Sequence, residues 1–341
     1  MGRIRYLWAL ALLFLLAGCG ARTDPDAQLS FAPEQSDRLV VYTSHKEEVW
    51  RPVVQEFEAR TGIWVDVVTG GSNELLARIA QESDAPAADV MFGGGVDSLE
   101  VYRDYFTPYI SGEQENILEI YQSPEGIWTP FSVLPVVLIY NTKLLSDGQI
   151  TCWQDLLQPG LRGKIAFADP GVSGSSFTAL VTLLQAVGGE TDDTLQQFAY
   201  NLGGLELDSS GEVLTAVANG SCWVGITLEE TALKRQQAGD SIALIYPEDG
   251  TSLVPDGSAL VKGAPHPENA RKFLDFTASS DVQQLLADLY RRSVRTDVAP
   301  SPDLPGLDTL ALVDYDISWA SQNHDGVLMS WAFYLDRRET P

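Results

Sequence analysis

Hydroxyl-bearing and glycine residues recur in this chain in short turns that follow apolar runs. Thr43, Ser44 and His45 close the run that starts at Leu39; Gly71, Ser72 and Asn73 follow Ile63 to Thr69; Gly94 and Gly95 follow Asp89 to Phe92. Ser173, Gly174, Ser175 and Ser176 follow Lys164 to Ala168, and Ser209 and Ser210 open a further helix. A helix start presents unpaired N–H groups and about half a positive charge. A serine or threonine adds a hydroxyl donor, so the set suits phosphate, phosphonate or carboxylate oxygens. Ser and Thr are also the ordinary N-caps of helices, which is reason enough for any single one of them. Thr227 and Glu230 match the T-x-x-E capping box. Glu229 has no such duty and is the candidate to meet a ligand hydroxyl or ammonium. His45 falls in the first turn of its helix, where burial or capping competes with ligand contact. Trp64 and Trp223 could stack on a ligand, but both fall inside strands and read as core.

Catalytic spacing does not emerge. Besides His45, His266 lies in a Pro-flanked loop and His324 in a polar stretch near the C-terminus, with no metal-ligand or His-Cys arrangement. There is no G-x-S-x-G elbow, and Gly93-Gly94-Gly95 lacks the dinucleotide fingerprint. The chain reads as a binding protein rather than an enzyme, with no cofactor and no catalytic residue. Its formal charge of −25, from 22 basic and 47 acidic residues, excludes nucleic acid as a partner by long-range repulsion. An anionic ligand must therefore be held by local dipoles, which salt screens far less than the long-range field.

At the N-terminus Arg3 and Arg5 precede an apolar run from Leu7 to Ala17 that is too short to span a bilayer. It ends in Leu16-Ala17-Gly18-Cys19, which resembles the lipobox of bacterial lipoproteins. Residues 1–18 are therefore expected to be a signal peptide, Cys19 a lipidation site and residues 19–37 a tether, holding the protein in the periplasm or at the outer face of the cytoplasmic membrane. Membrane contact is expected through the anchor alone. In such an oxidising compartment Cys152 and Cys222 are expected to pair, closing a loop of about 70 residues and stabilising by roughly 4 kcal/mol; two buried thiols are the alternative.

The elements that must position these residues alternate from Arg38 onward. LVVYT is a strand, and Ser44 and Glu47 fit a capping box ahead of Val49, Val53, Val54 and Phe57 on one helical face. Ile63 to Thr69, a helix carrying Leu75, Leu76 and Ile79, and the strand Asp89 to Phe92 continue the series. Strands alternating with helices imply a parallel sheet, which binds ligands at the carboxyl ends of its strands. Trp128 to Tyr140, interrupted by Pro130 and Pro135, suits an extended crossing between two domains better than a central strand. A second α/β unit follows. Ile242 to Tyr246 reads as a strand returning to the first domain, which places the hinges near 132–140 and 246–254. Lobe 1 then comprises 38–132 plus 252–296, and lobe 2 comprises 133–251 plus 297–341. From Asn269 on, the tail reads as helical.

The ordered series VVYTSHKEE, D-V-x-F-G-G-G, IYNTKLL, LRGKIAFADP with SGSS, and VGIT with LEE resembles the periplasmic solute-binding proteins of the ferric-iron and AfuA-like branch. The resemblance covers nearly all of residues 38–300. It implies a type II periplasmic-binding-protein fold: two discontinuous α/β domains joined by hinge strands, closing on a small ligand for an ABC permease, as a monomer. Ferric-binding members use a neighbouring tyrosine pair, commonly with a histidine or acidic residue of the first lobe. His45 stands where that histidine would be. None of the twelve tyrosines here is adjacent to another, and the stretch expected to hold the pair reads Thr227-Leu228-Glu229-Glu230. The resemblance does not fix the ligand; with no tyrosine pair, the hydroxyl- and glycine-bearing helix starts favour an organic anion, such as a sugar phosphate or aminophosphonate, with ferric iron held by His45, Glu229 and a non-adjacent tyrosine as the alternative.

Overall fold

The computed structural model describes residues 33–337, so the expected signal peptide, Cys19 and the first part of the tether lie outside the described residues. Among the described residues there are nine strands: β1 (Arg38–Thr43), β2 (Trp64–Thr69), β3 (Val90–Gly95), β4 (Thr129–Val133), β5 (Val136–Asn141), β6 (Ile165–Ala166), β7 (Val224–Leu228), β8 (Ile242–Ile245) and β9 (Pro255–Leu260). They form two sheets, ordered β2-β1-β3-β9-β4 and β6-β7-β5-β8, with helices on both faces of each.

In the first sheet β1 runs parallel to β2 and β3, because α1 (Glu47–Thr61) and α2 (Ser72–Gln81) carry the chain back each time. Leu39, Val41, Val90 and Phe92 pack on one face with Phe57 and Phe273, while Tyr42 and Met91 pack on the other with Leu76 and Leu99. Alternate residues of one strand thus feed two cores, as burial of both sheet faces requires. β9 enters antiparallel to both β3 and β4, so the sheet is mixed rather than wholly parallel.

The crossing between lobes is short. β4 ends at Val133 in the first sheet and β5 begins at Val136 in the second, with Leu134-Pro135 between them. Pro130 is tolerated because β4 is an edge strand. β8 does not return to the first lobe; it pairs antiparallel with β5 at the edge of the second sheet, and residues 246–254 make the return into β9. Leu138, Val224 and Ile226 face α4 (Gly174–Val187) and α5 (Thr191–Leu202), whereas Val137, Ile139 and Ala166 face α6 (Ser210–Ala218).

The expected disulfide is not formed: Cys152 and Cys222 are free thiols. Cys222 packs in the core on the α6 face of the second sheet, while Trp153, next to Cys152, is buried in the core on the α5 face. The C-terminal part is not continuously helical either. α8 (Pro267–Thr277) and α9 (Ser280–Asp288) are separated from α10 (Ile317–Arg337) by a stretch containing Pro300, Pro302 and Pro305. α10 packs on α5 and also on α3 (Val96–Val101) of the first lobe.

Candidate functional site

Between the lobes, at the carboxyl ends of β1, β2 and β3, lies a cavity of about 450 Å³. Three helix starts open onto it: Gly71-Ser72 of α2, Ser173-Ser175 of α4 and Ser209-Ser210 of α6. Ser173 caps α4, its Oγ accepting from Ser176 N and lying 3.1 Å from Ser175 Oγ. Ser44, His45, Gly94 and Gly95 line the first-lobe wall.

Other predicted site residues serve the walls instead. Thr43 is buried, donating to Phe92 O at 2.7 Å and accepting from His45 N at 3.1 Å, which fixes the turn after β1. Ser72 Oγ also accepts from Gly174 N at 2.9 Å, and Asn73 Nδ2 donates to Pro170 O at 3.0 Å. Both bonds cross from one lobe to the other, so the lobes meet in a closed arrangement. The Ser44–Glu47 capping box is not made: α1 begins at Glu47 with Lys46 as its cap residue and no side-chain bond. Nor is the Thr227–Glu230 box, since α7 (Glu229–Gln237) is preceded by Leu228 and Thr227 is buried within β7. Ser176 is likewise buried, outside the cavity lining. Trp64 is 52% exposed on edge strand β2, contrary to a core position, and Trp223 lies beneath Lys164 Nζ at 3.6 Å. Neither reaches the cavity.

Glu229 and Glu230, adjacent at the start of α7, turn in different directions. Glu229 is fully buried, takes two bonds from Arg292 at 2.8 and 2.7 Å and one from Tyr246 Oη at 2.6 Å, and so is unavailable to a ligand. Glu230 lines the cavity and accepts from Lys234 and, at 3.3 Å, from Arg291 Nε. Arg291 was not among the predicted residues. Its Nη1 donates to Ser132 Oγ and to Asp256 Oδ2, both at 2.9 Å, so the guanidinium joins β4 and β9 of the first lobe to α7 of the second at the cavity floor. The available signal was the doublet Arg291-Arg292 facing the doublet Glu229-Glu230. Tyr290, at φ 61°, makes the turn that presents both arginines.

The electrostatics of this floor follow from burial. His45 Nε2 lies 3.5 Å from Asp256 Oδ2, with the ring edge-on to Phe92. Desolvation, and then the Arg291 charge, hold the imidazole well below its ordinary pKa, so it is neutral. Burial raises Asp256, against the pull of Arg291. Burial also works to raise Glu230, but Arg291 and Lys234 together bring it below the usual carboxylate range. Lys46 adds a second cation to the lining and, among the described residues, makes no ion pair. No tyrosine is among the described residues that line the cavity.

Two α/β lobes with a donor-rich cleft between them define a solute-binding protein of the type II periplasmic class. The family model for bacterial extracellular solute-binding proteins matches residues 86–319, and the chain belongs to that family. It is an extracytoplasmic solute-binding protein rather than an enzyme. Iron uptake protein A1 of Synechocystis is 29% identical over 293 residues, covering 80% of this chain and 79% of that protein. A periplasmic protein of Salmonella typhi, provisionally named for binding 2-aminoethylphosphonate, is 25% identical, with 82% and 84% covered. The structure of AfuA from Actinobacillus pleuropneumoniae with fructose 6-phosphate bound superposes with a TM-score of 0.81 at 25% identity, over 88% of this chain and 98% of that one.

Proposed function

We propose that the chain captures a small phosphorylated or otherwise anionic organic metabolite, held between the lobes 38–132 plus 252–296 and 133–251 plus 297–341, as a monomer anchored to the membrane through Cys19. The observation that carries this reading is the convergence of the Arg291 guanidinium, the Lys46 ammonium and the starts of α2, α4 and α6 on one cavity of about 450 Å³. That volume matches a small ligand, and a cation facing helix N-termini suits phosphate or phosphonate oxygens. Glu74, Asp208 and Glu230, also in the lining, are acceptors for hydroxyl or ammonium groups on the rest of the ligand. The fructose 6-phosphate held by AfuA and the phosphonate in the Salmonella protein's name support the same class.

Ferric iron is the second reading, favoured by the name of the Synechocystis relative. Against it stand the commitment of Glu229 to Arg292 and the guanidinium in the floor, which repels a bare trivalent cation. Calorimetric titration with fructose 6-phosphate, 2-aminoethylphosphonate and ferric citrate, together with mass spectrometry of whatever co-purifies, separates the two. Binding of a phosphate- or phosphonate-bearing compound is expected. A visible tyrosinate-to-iron absorption band with no anion binding would overturn the organic-anion reading.

A further inference from the structure

Directly behind the glycine wall of the cavity, the second residue of α3 is a fully buried carboxylate. Asp97 Oδ2 accepts from Thr178 Oγ1 at 2.8 Å and from Tyr315 Oη at 2.6 Å, and Oδ1 accepts from Ser98 N at 2.8 Å. Thr178 belongs to α4 of the second lobe and lines the cavity. Tyr315 belongs to the stretch that leads into α10. The donors therefore come from three separate parts of the chain, and among the described residues no lysine or arginine pairs with the acid. Among those residues the one basic group that acts on it electrostatically is His324, and an ionised carboxylate buried without a lysine or arginine partner is unfavourable for stability by itself.

The surroundings leave this group little freedom. A Cβ on Gly95 would lie 2.3 Å from Asp97 Oδ1 and 3.1 Å from Thr178 Oγ1, so the cavity wall presses on the junction. The Tyr315 stretch is pinned to the interlobe connection by Val313 N donating to Thr251 O and by Thr251 N donating to Ala311 O, both at 2.9 Å. Asp316 N donates to Gln185 Oε1 on α4 at 3.1 Å. Thr182, one turn beyond Thr178, donates to Ser252 Oγ at 2.7 Å. α4 is thus tied along its length, from the ligand-facing turn to the connection.

We infer that Asp97 is a positioning residue for ligand capture, its carboxylate fastening α4 of the second lobe and the Tyr315 stretch to the back of the glycine wall. It sets where the Ser173–Ser175 turn sits when the lobes meet. The inference rests on the reading of the cavity as the ligand site, and its test has one arm that needs no ligand.

Hydrogen exchange followed by mass spectrometry on the full chain reads the junction directly. Asp97→Asn, Thr178→Val and Tyr315→Phe are each expected to accelerate exchange together in three separated segments, 93–98, 172–178 and 311–316, by about tenfold or more, and to leave β1 and α1 as in wild type. Thr178→Ser, which keeps the donor, is expected to restore the wild-type pattern. Acceleration confined to the mutated segment, or equal loss of protection everywhere, overturns the inference. Should Asp97→Asn fail to fold, the other two variants, each lacking one donor, carry the test. In the second arm, fructose 6-phosphate serves as probe and its dissociation rate is measured. A rate raised at least tenfold in Tyr315→Phe, a residue outside the cavity, supports the inference, and an unchanged rate opposes it. If neither this probe nor 2-aminoethylphosphonate binds wild type, the site reading fails, and the exchange pattern alone decides the role of Asp97.

Discussion

Arg291 Nη1 lies 2.9 Å from Asp256 Oδ2 at the base of the cleft, and the same guanidinium reaches Glu230 of the opposite lobe at 3.3 Å. A buried cation held between carboxylates of two lobes does two things at once: it offers positive charge to the cavity and it registers the lobes against each other.

Replacing Arg291 by Ala removes that charge, leaving Asp256 without its arginine and Glu230 with Lys234 alone. Truncating one partner of a buried hydrogen-bonded charge pair costs about 2–5 kcal/mol. Affinity for a phosphate-bearing ligand is expected to fall by roughly two orders of magnitude or more. Titration calorimetry on the folded variant checks this. Ser175→Ala, which removes one neutral hydroxyl from the lining, is expected to lower affinity only several-fold.

Glu229 and Arg292 form the other arm of the doublet, buried and away from the cavity. Arg292→Met strands a carboxylate in the interior and is expected to lower unfolding free energy by about 3–5 kcal/mol. Ligand affinity of the folded fraction should stay near wild type. Urea denaturation paired with binding measurements separates the two effects.

His45 gives a pH signature. Its folded pKa lies below the ordinary value because of desolvation first and Arg291 second. For a base depressed in this way, stability is present above the ordinary pKa, about 6.5, and is lost as pH falls toward the folded pKa, because the unfolded chain takes up the proton that the folded one refuses. Asp256 and Asp97 act in the opposite sense, since burial raises both and they regain stability on acidification. The difference between wild type and His45→Gln isolates the histidine. Between about pH 6.5 and 5 wild type should lose stability relative to the variant, with a slope approaching 1.4 kcal/mol per pH unit. A difference that does not vary with pH would show that His45 is not buried neutral.

Two glycines provide an internal comparison. Gly62 closes α1 at φ 72° with open space around it, whereas Gly93 sits at φ 103° with a would-be Cβ 2.9 Å from both His45 Nε2 and Ser44 Oγ. Gly62→Ala is expected to cost about 1 kcal/mol, from backbone strain alone. Gly93→Ala should cost more, by about 1–3 kcal/mol, and should also displace the Ser44-His45 turn, so that ligand binding weakens with it. Thermal melts and titrations on the pair check both.

With no disulfide in the second lobe, Cys152 and Cys222 should give the same thiol count in denaturant with and without reductant. A count that rises on reduction would contradict the free thiols.

Much of the architecture was readable along the chain. Runs such as Leu39 to Thr43 and Asp89 to Phe92, each followed by a small-residue turn and a helix, carry their periodicity locally, and Pro135 marks the crossing between lobes while Pro130 falls within edge strand β4. The turns on the cavity rim, from Ser44 to Ser210, were legible for the same reason: a helix start is a local event. Capping is not legible where other partners outcompete the helix start, as where Glu230 meets Arg291 from the other lobe and Lys234 one turn on instead of turning back to Thr227.

What the sequence determined by itself was the strand–turn–helix order, the two-lobed class and the small hydroxyl-rich turns, because each is written in neighbouring residues. Only the tertiary structure decided the charges of the floor. Arg291, Asp256, Glu230 and His45 come from four distant parts of the chain, and whether two adjacent glutamates face a ligand or an arginine depends on what the fold brings opposite them. The same holds for the two cysteines: whether they meet depends on where the fold puts each, and neither spacing nor compartment records that.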